Sequence, residues 1–257
     1  MEKHSAKEGT VLTENQLKAL EKAKLKREAH GEIETEHPCY LIVQDTYFVG
    51  TMKGVGRIYQ QTVIDTYSRW AFARLYTEKT ALTAAHMLNE TVIPWFTNEH
   101  IPILRVLTDR GTEYCGRVGS HAYQLYFAVE NIDHSKTKAY SPQTNGIVER
   151  FHKTMKNEFY DVAFRKKIYA SIEQLHADVD QWLKVYNTTR PHSGKYCYSK
   201  TPEQTFSGSK KMARDKQLDR VHNFRSADRE RYRVETDSTE GDSIFVGIAH
   251  KMSSIKR

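Results

Sequence analysis

Three acidic residues stand where an apolar run is interrupted or where the predicted structure changes. Asp45 lies inside the β-rich run CYLIVQDTYFVG, Asp109 ends the short apolar run ILRVLT, and Glu149 follows the turn-rich segment KAYSPQTNG near the start of a predicted helix. A carboxylate inside a buried strand is costly unless it is paired or binds a metal. Three carboxylates that converge at one sheet edge would hold hard divalent cations, and two such ions could drive phosphoryl transfer.

Each acid also has an ordinary structural interpretation. An aspartate at the end of a strand is typical of a turn or cap. A glutamate at the start of a helix stabilises the helix dipole. From the residues alone, the metal site and these structural roles stay open.

The elements that would position these acids follow from apolar periodicity and turn residues. We predict strands at 39–50, 57–66, 70–76, 103–108 and 132–135, and helices at 81–96, 119–130, 146–159 and from Ser171 to before Pro191. Pro94 is expected to kink or end its helix. Three successive strands followed by alternating helices and strands predict an α/β fold, in which helices flank a mixed five-stranded sheet.

The helix that bears Glu149 also carries basic residues. Helical spacing predicts that Glu149, His152, Lys153, Lys156 and Tyr160 share one face. We interpret Lys153 and Lys156 as phosphate contacts, while a solvated charged face is the simpler interpretation of residues 165–167.

The composition favours a nucleic-acid partner. The 257 residues include 39 Lys+Arg against 32 Asp+Glu, which gives a net charge of +7 and a pI near 9.1. An ordinary basic protein would also fit these values. The three cysteines form no CxxC pair, and no apolar run is long enough to span a membrane. We therefore expect a cytoplasmic protein without a membrane partner, associated with the nucleoid when it binds DNA.

Three segments are expected. Residues 1–36 form a polar arm with one short helix, residues 37–206 form the main domain, and residues 207–257 form a basic, disordered tail with few apolar residues.

Several sequence motifs resemble those of one known family and occur in the same order along the chain. QDTYFVG, VIDTYSRWAFARLY, LTDRGTEYCG, SPQTNGIVERFHKTMKNEFY and RPHSG are similar to the integrase-core (DDE) transposases of bacterial insertion sequences, within the retroviral-integrase superfamily. The resemblance covers about residues 37–206. It implies a ribonuclease-H-like fold and a catalytic, metal-binding triad of Asp45, Asp109 and Glu149 with two Mg²⁺ or Mn²⁺ ions.

The resemblance also implies roles for further residues. Gln143 and Asn145 resemble residues that touch the DNA end near the cleaved bond, although they also suit a turn. Asp65 would support the end of the second strand, and Glu113 could lie behind the metal ligands. Arg190 could reach phosphate or close the last helix against the core. We also expect His152 to contact DNA.

We therefore expect a transposase that cleaves DNA at transposon ends and transfers the strand into target DNA, as a homo-oligomer on DNA. Relatives place helix-turn-helix domains ahead of the core, so we expect this chain to lack its reader of the transposon end. The alternatives are a non-catalytic remnant that binds DNA non-specifically or inhibits full-length transposase, and a plain ribonuclease-H-like nuclease.

Overall fold

The structure is a computed structural model that describes residues 35–116, 121–130, 132–137 and 146–216. Its strands are β1 (Ile42–Met52), β2 (Gly56–Asp65), β3 (Ala71–Tyr76), β4 (Arg105–Thr108) and β5 (Asp133–Lys136). Its helices are α1 (Ala81–Met87), α2 (Ile93–Asn98), α3 (Ala122–Glu130), α4 (Gly146–Met155), α5 (Asp161–Lys166), α6 (Ile172–Thr188) and α7 (202–216). The helix expected within 1–36, the residues Gln143 and Asn145, and the tail beyond 216 lie outside the described residues.

The strands form one mixed sheet in the order β3-β2-β1-β4-β5. The first three strands of the chain pair antiparallel, and β4 and β5 run parallel to β1. The pairing of β1 with β2 shifts register between Phe48 and Gly50, and Gly50 has a φ of 149° that suits glycine. The predicted α/β fold with a mixed five-stranded sheet flanked by helices is confirmed.

Alternating residues of the central strands build two cores, one on each face of the sheet. Ile42, Val63 and Val106 pack on the face covered by α1, α2, α3 and α7. The next residue of each strand, Val43, Ile64 and Leu107, packs on the face covered by α4 and α6. The face of the sheet to which a strand residue points therefore decides which helices its side chain contacts.

Pro94 lies within a continuous helical path. A π-helical turn, Leu88–Val92, follows α1, and Pro94 falls in the first turn of α2. The first turn of a helix tolerates a missing N–H, and a π turn relieves the clash with the preceding carbonyl. The helix consequently runs on to Asn98.

The predicted start of the tail at residue 207 is wrong for its first ten residues. Residues 202–216 are helical, and Phe206 and Ala213 are buried with the aromatic side chains of α2. Lys210 forms an ion pair with the Glu99 carboxylate, and the Arg214 guanidinium donates to the Glu99 carbonyl at 2.9 Å. The few apolar residues of this segment lie on one face, which is enough to hold the helix against the core.

Among the described residues, no helix is long and apolar enough to cross a membrane.

Candidate catalytic site

Asp45 lies on β1, and Asp109 directly follows β4, the parallel neighbour of β1. The pairs Ile42–Val106 and Val43–Leu107 set the register of β1 with β4. The same offset, continued for two residues, places Asp45 opposite Asp109, at the strand spacing of about 4.8 Å. Because alternate residues share a face, both aspartates project to the side of the sheet that α4 covers.

The electrostatic environment of Asp45 is unfavourable for its ionised form. Its side chain is 17% exposed. Burial, together with the neighbouring carboxylates of Asp109 and Glu113, raises the pKa of Asp45 to about 7, while the Lys79 ammonium and a hydrogen bond from the Thr46 backbone oppose this rise. A divalent cation bound between the two aspartates would remove the cost of bringing them together, so this donor pair fits Mg²⁺ or Mn²⁺.

Glu149 is not brought into a cluster with the two aspartates. It lies exposed in the first turn of α4, beside the buried Val148. Within the described part of the chain, no group of three His, Cys, Asp or Glu side chains could hold a metal ion. The assignment of Glu149 as the third ligand stays a prediction.

The face that we predicted for His152 is wrong. The buried residues of α4 are Val148, Phe151, His152 and Met155, at helical spacings of three and four. This apolar stripe turns His152 into the protein, where it is buried. Its Nε2 lies 2.9 Å from Thr62 Oγ1, and its Nδ1 lies 3.7 Å from Asp45 Oδ2.

His152 is neutral in this position. Burial lowers its pKa to about 4. Its ring packs against Tyr47, with ring centroids 4.9 Å apart. The histidine therefore lies beside Asp45 without adding a positive charge that would compete with a cation.

The two lysines of this helix are exposed, as predicted, but the shared face does not extend to Tyr160. A π-helical turn, Lys156–Tyr160, follows α4 and shifts the helical register. Tyr160 is buried and donates to Gln60 Oε1 at 2.5 Å. The Lys156 ammonium lies 2.8 Å from Asp161 Oδ2, whereas Lys153 is exposed on the turn nearer Glu149.

Arg190 stabilises the end of the last core helix. Its guanidinium donates to both carboxylate oxygens of Glu158, at 2.7 and 3.2 Å, and lies over the Tyr186 ring. This geometry matches the interpretation in which Arg190 closes α6 against the core. A contact between Arg190 and phosphate stays a prediction.

Asp65 has the structural role expected of it. Its carboxylate is fully buried and accepts hydrogen bonds from the backbone N–H of Cys39 at 3.0 Å and of Ser68 at 2.8 Å. It therefore fixes the turn after β2 and takes no part in the candidate site.

Sequence reasoning missed the ion pair between Lys79 and Glu113, which lies beside the aspartates. The Lys79 ammonium lies 2.9 Å from Glu113 Oε1, and Thr46 Oγ1 donates to the same oxygen at 3.0 Å. The sequence predicts only that Glu113 could lie behind the metal ligands. No motif or spacing around Lys79 predicts that it lies near the site. Their 34-residue separation (113 minus 79) means that only the fold brings them together.

Comparison with known proteins places the chain among integrase-like proteins. Two family descriptions, both named integrase core domain, match residues 35–142 and 130–197. A protein named as an integrase, ORF3 of Spiroplasma virus SpV1-C74, is 26% identical over 70% of this chain and 51% of its own length. The retrovirus-related Pol polyprotein from transposon 412 of Drosophila melanogaster is 29% identical over 63% of this chain and 12% of its own length. The chain thus spans about half of the first relative and a small part of the second.

A chain in the cryo-EM structure of the simian T-cell lymphotropic virus intasome is similar in fold. It aligns with a TM-score of 0.54 and 17% identity, over 68% of this chain and 57% of that chain. At this identity the likeness shows the fold, which is ribonuclease-H-like. With the sheet order, the matched family descriptions and the sequence relatives, it leads to one conclusion: the chain belongs to the retroviral-integrase superfamily.

Proposed function

We propose that this chain is a DDE transposase, a polynucleotidyl transferase that cleaves DNA at transposon ends and joins the freed 3′ end to target DNA. The observation that supports the proposal is that Asp45 on β1 and Asp109 at the end of the parallel strand β4 lie close enough to interact electrostatically, with the pKa of Asp45 raised to about 7. Such a pair is stable in its ionised form only with a cation between its members.

Glu149 completes the proposed ligand set from α4. Two Mg²⁺ or Mn²⁺ ions, when bound, would supply Lewis-acid activation of the attacking oxygen and stabilisation of the leaving oxygen. The protein's own contribution is positional. In this proposal the sheet would fix Asp45 and Asp109, and α4 would bring Glu149 to them. His152, whose Nδ1 lies 3.7 Å from Asp45 Oδ2, would pack beside this ligand.

DNA would lie along the exposed side of α4. Lys153 is exposed there, and Lys156 is held nearby by Asp161. Both would contact phosphates, which contribute affinity and register and carry little sequence information. We assign Gln143 and Asn145 to the DNA end. By analogy with transposition that brings two ends together, we expect a homo-oligomer on DNA.

A second candidate function is a DNA-binding remnant without catalysis. It is favoured by one observation: the described residues include no close group of three metal-binding side chains. Catalytic assays separate the two candidates, because a remnant would bind DNA in the presence of metal and leave it intact.

The test is Mg²⁺- or Mn²⁺-dependent nicking of plasmid DNA, and joining of an oligonucleotide 3′ end to it. We expect the wild-type protein to be active, and D45N, D109N and E149Q to lose activity by about 10³-fold or more, since each removes a charged ligand. D180N and E203Q are matched controls, because both residues are exposed and lie outside the site. Activity of E149Q equal to that of the wild-type protein would exclude the proposed triad.

A further inference from the structure

Lys79 places a positive charge beside the candidate metal ligands. It lies in the loop between β3 and α1, directly before the N-cap residue Thr80. Its ammonium contacts Glu113 Oε1 at 2.9 Å, and its side chain is 41% exposed. The carboxylates of Asp109 and Asp45 also lie within its electrostatic reach.

Glu113 is held so that it cannot easily become a metal ligand. Its side chain is 1% exposed, and Oε1 accepts from Thr46, the residue next to Asp45 in the chain. Oε2 lies against the turn after Asp109, where a Cβ on Gly111 would come within 2.5 Å of it. Among the residues that the structure describes, no donor reaches this buried oxygen.

The charges of these four groups determine what the site presents to a cation. Asp45, Asp109 and Glu113 carry three negative charges when ionised, and Lys79 carries one positive charge. We propose that Lys79 is a built-in counter-ion of the metal site. Its ammonium neutralises Glu113 and holds it out of the coordination sphere, so that the divalent cation binds Asp45 and Asp109 without Glu113.

This inference rests on the proposed function, because it assumes that Asp45 and Asp109 bind the metal. In this role Lys79 and Glu113 are positioning residues. They act on the metal through charge and through Thr46, which links Glu113 to the strand that carries Asp45.

The inference predicts opposite effects on metal affinity and on activity. K79M removes a positive charge that interacts with the Asp45 and Asp109 carboxylates, so Mn²⁺ should bind about fivefold to tenfold more tightly. The released Glu113 carboxylate would then compete with Asp45 and Asp109 for the ion, so strand joining should fall. K79R keeps the positive charge and should therefore retain the Mn²⁺ affinity and the strand-joining activity of the wild-type protein. A lysine that serves only to hold the fold would not raise Mn²⁺ affinity when it is removed.

The experiment is a titration of the full chain with Mn²⁺ at about pH 8, with free Mn²⁺ measured by electron paramagnetic resonance. The variants are the wild-type protein, K79M, K79R, D45N and K53M. Lys53 is exposed in the β1–β2 turn, on the order of 20 Å along β1 from Asp45, so K53M makes the same change in net charge at a distance. Thermal unfolding checks that each variant is folded.

Tighter Mn²⁺ binding by K79M, with K79R and K53M close to the wild-type protein, would support the inference. Binding by K79M that is unchanged or weaker would overturn it, while the proposed function would stand if D45N abolished binding. If the wild-type protein bound no Mn²⁺ that depends on Asp45, the proposed function and this inference would both fail.

Discussion

Replacing Asp45 with asparagine should stabilise the metal-free protein at alkaline pH. The ionised Asp45 carboxylate is largely buried and lies beside Asp109, which raises its pKa from 3.8 to about 7. One pKa unit corresponds to about 1.4 kcal/mol, so the full difference sets an upper limit of about 4 kcal/mol on the cost of ionising Asp45 in the folded state. Relaxation and water penetration reduce this cost, and we expect D45N to gain about 2 to 4 kcal/mol.

The sign of the pH dependence follows from proton linkage. Between about pH 4 and pH 7, the folded state keeps a proton on Asp45 that the unfolded state has released. The contribution of Asp45 to the free energy of unfolding is therefore fully present below about pH 4 and is lost as the pH rises through about 7. The advantage of D45N over the wild-type protein should be largest at about pH 8 and should disappear near pH 4.

The assay is urea unfolding of the wild-type protein and D45N in the presence of a metal chelator, at several pH values. Taking the difference between the two proteins at each pH cancels the contributions of titrating groups that do not interact with Asp45. D180N is the control, because its side chain is 64% exposed and its loss should change stability little. Millimolar Mg²⁺ should then stabilise the wild-type protein more than D45N. If D45N were no more stable than the wild-type protein at about pH 8, the electrostatic reasoning about this site would be refuted.

Three further predictions concern the packing and the surface around the site. N187A should lower the free energy of unfolding, measured by urea titration, by about 2 to 3 kcal/mol. Asn187 Oδ1 accepts from the backbone N–H of Ala71, and Asn187 Nδ2 donates to the Ala71 carbonyl, at 2.9 Å each. An unchanged urea midpoint would contradict this prediction. Two-dimensional NMR should show that His152 stays neutral down to about pH 4. Its contribution to the free energy of unfolding should therefore be lost as the pH falls from about 6.5 to about 4. A ring that titrates near pH 6.5 would lie in solvent, which would contradict its burial. K153A should lower the slope of log K against log salt for DNA binding by about one. K156A should lower it by less, because Asp161 already pairs with the Lys156 ammonium. Equal slopes for the wild-type protein, K153A and K156A would argue against phosphate contacts by these lysines.

The sheet and its two aspartates were accessible from the sequence for a physical reason. β4 is a short apolar run that ends one residue before Asp109, and Asp45 interrupts the apolar start of the longer strand β1. Parallel neighbours in a mixed sheet then meet at the same end. The register that puts Asp45 opposite Asp109 could not be predicted, because register depends on the packing of both sheet faces.

The role of His152 was missed although its signal was present. The polar residues around Glu149 suggested one face, but Val148, Phe151 and Met155 define the buried stripe, and His152 belongs to that stripe by its spacing. A helical wheel centred on the apolar residues would have turned it inward. The π turn that buries Tyr160 has no comparable signal in the sequence.

Two other features depend on tertiary contacts alone. The helix beyond residue 206 is anchored by Phe206 and Ala213, seven residues apart and with few apolar neighbours, so its pattern is too sparse to predict a packed helix. The pair Lys79 and Glu113 joins two loops that are remote in the chain. Only the folded sheet shows that both loops end beside the same carboxylates.

The most direct test of the account is a crystal structure of the protein with Mn²⁺, with the ion located by its anomalous scattering. The account predicts a Mn²⁺ peak between Asp45 and Asp109, at about 2.2 Å from their carboxylate oxygens, with Glu149 turned towards the ions and Glu113 still paired with Lys79. A well-diffracting crystal at saturating Mn²⁺ with no peak at Asp45 and Asp109, or with its peak on other residues, would contradict the claim that these aspartates form a catalytic metal site.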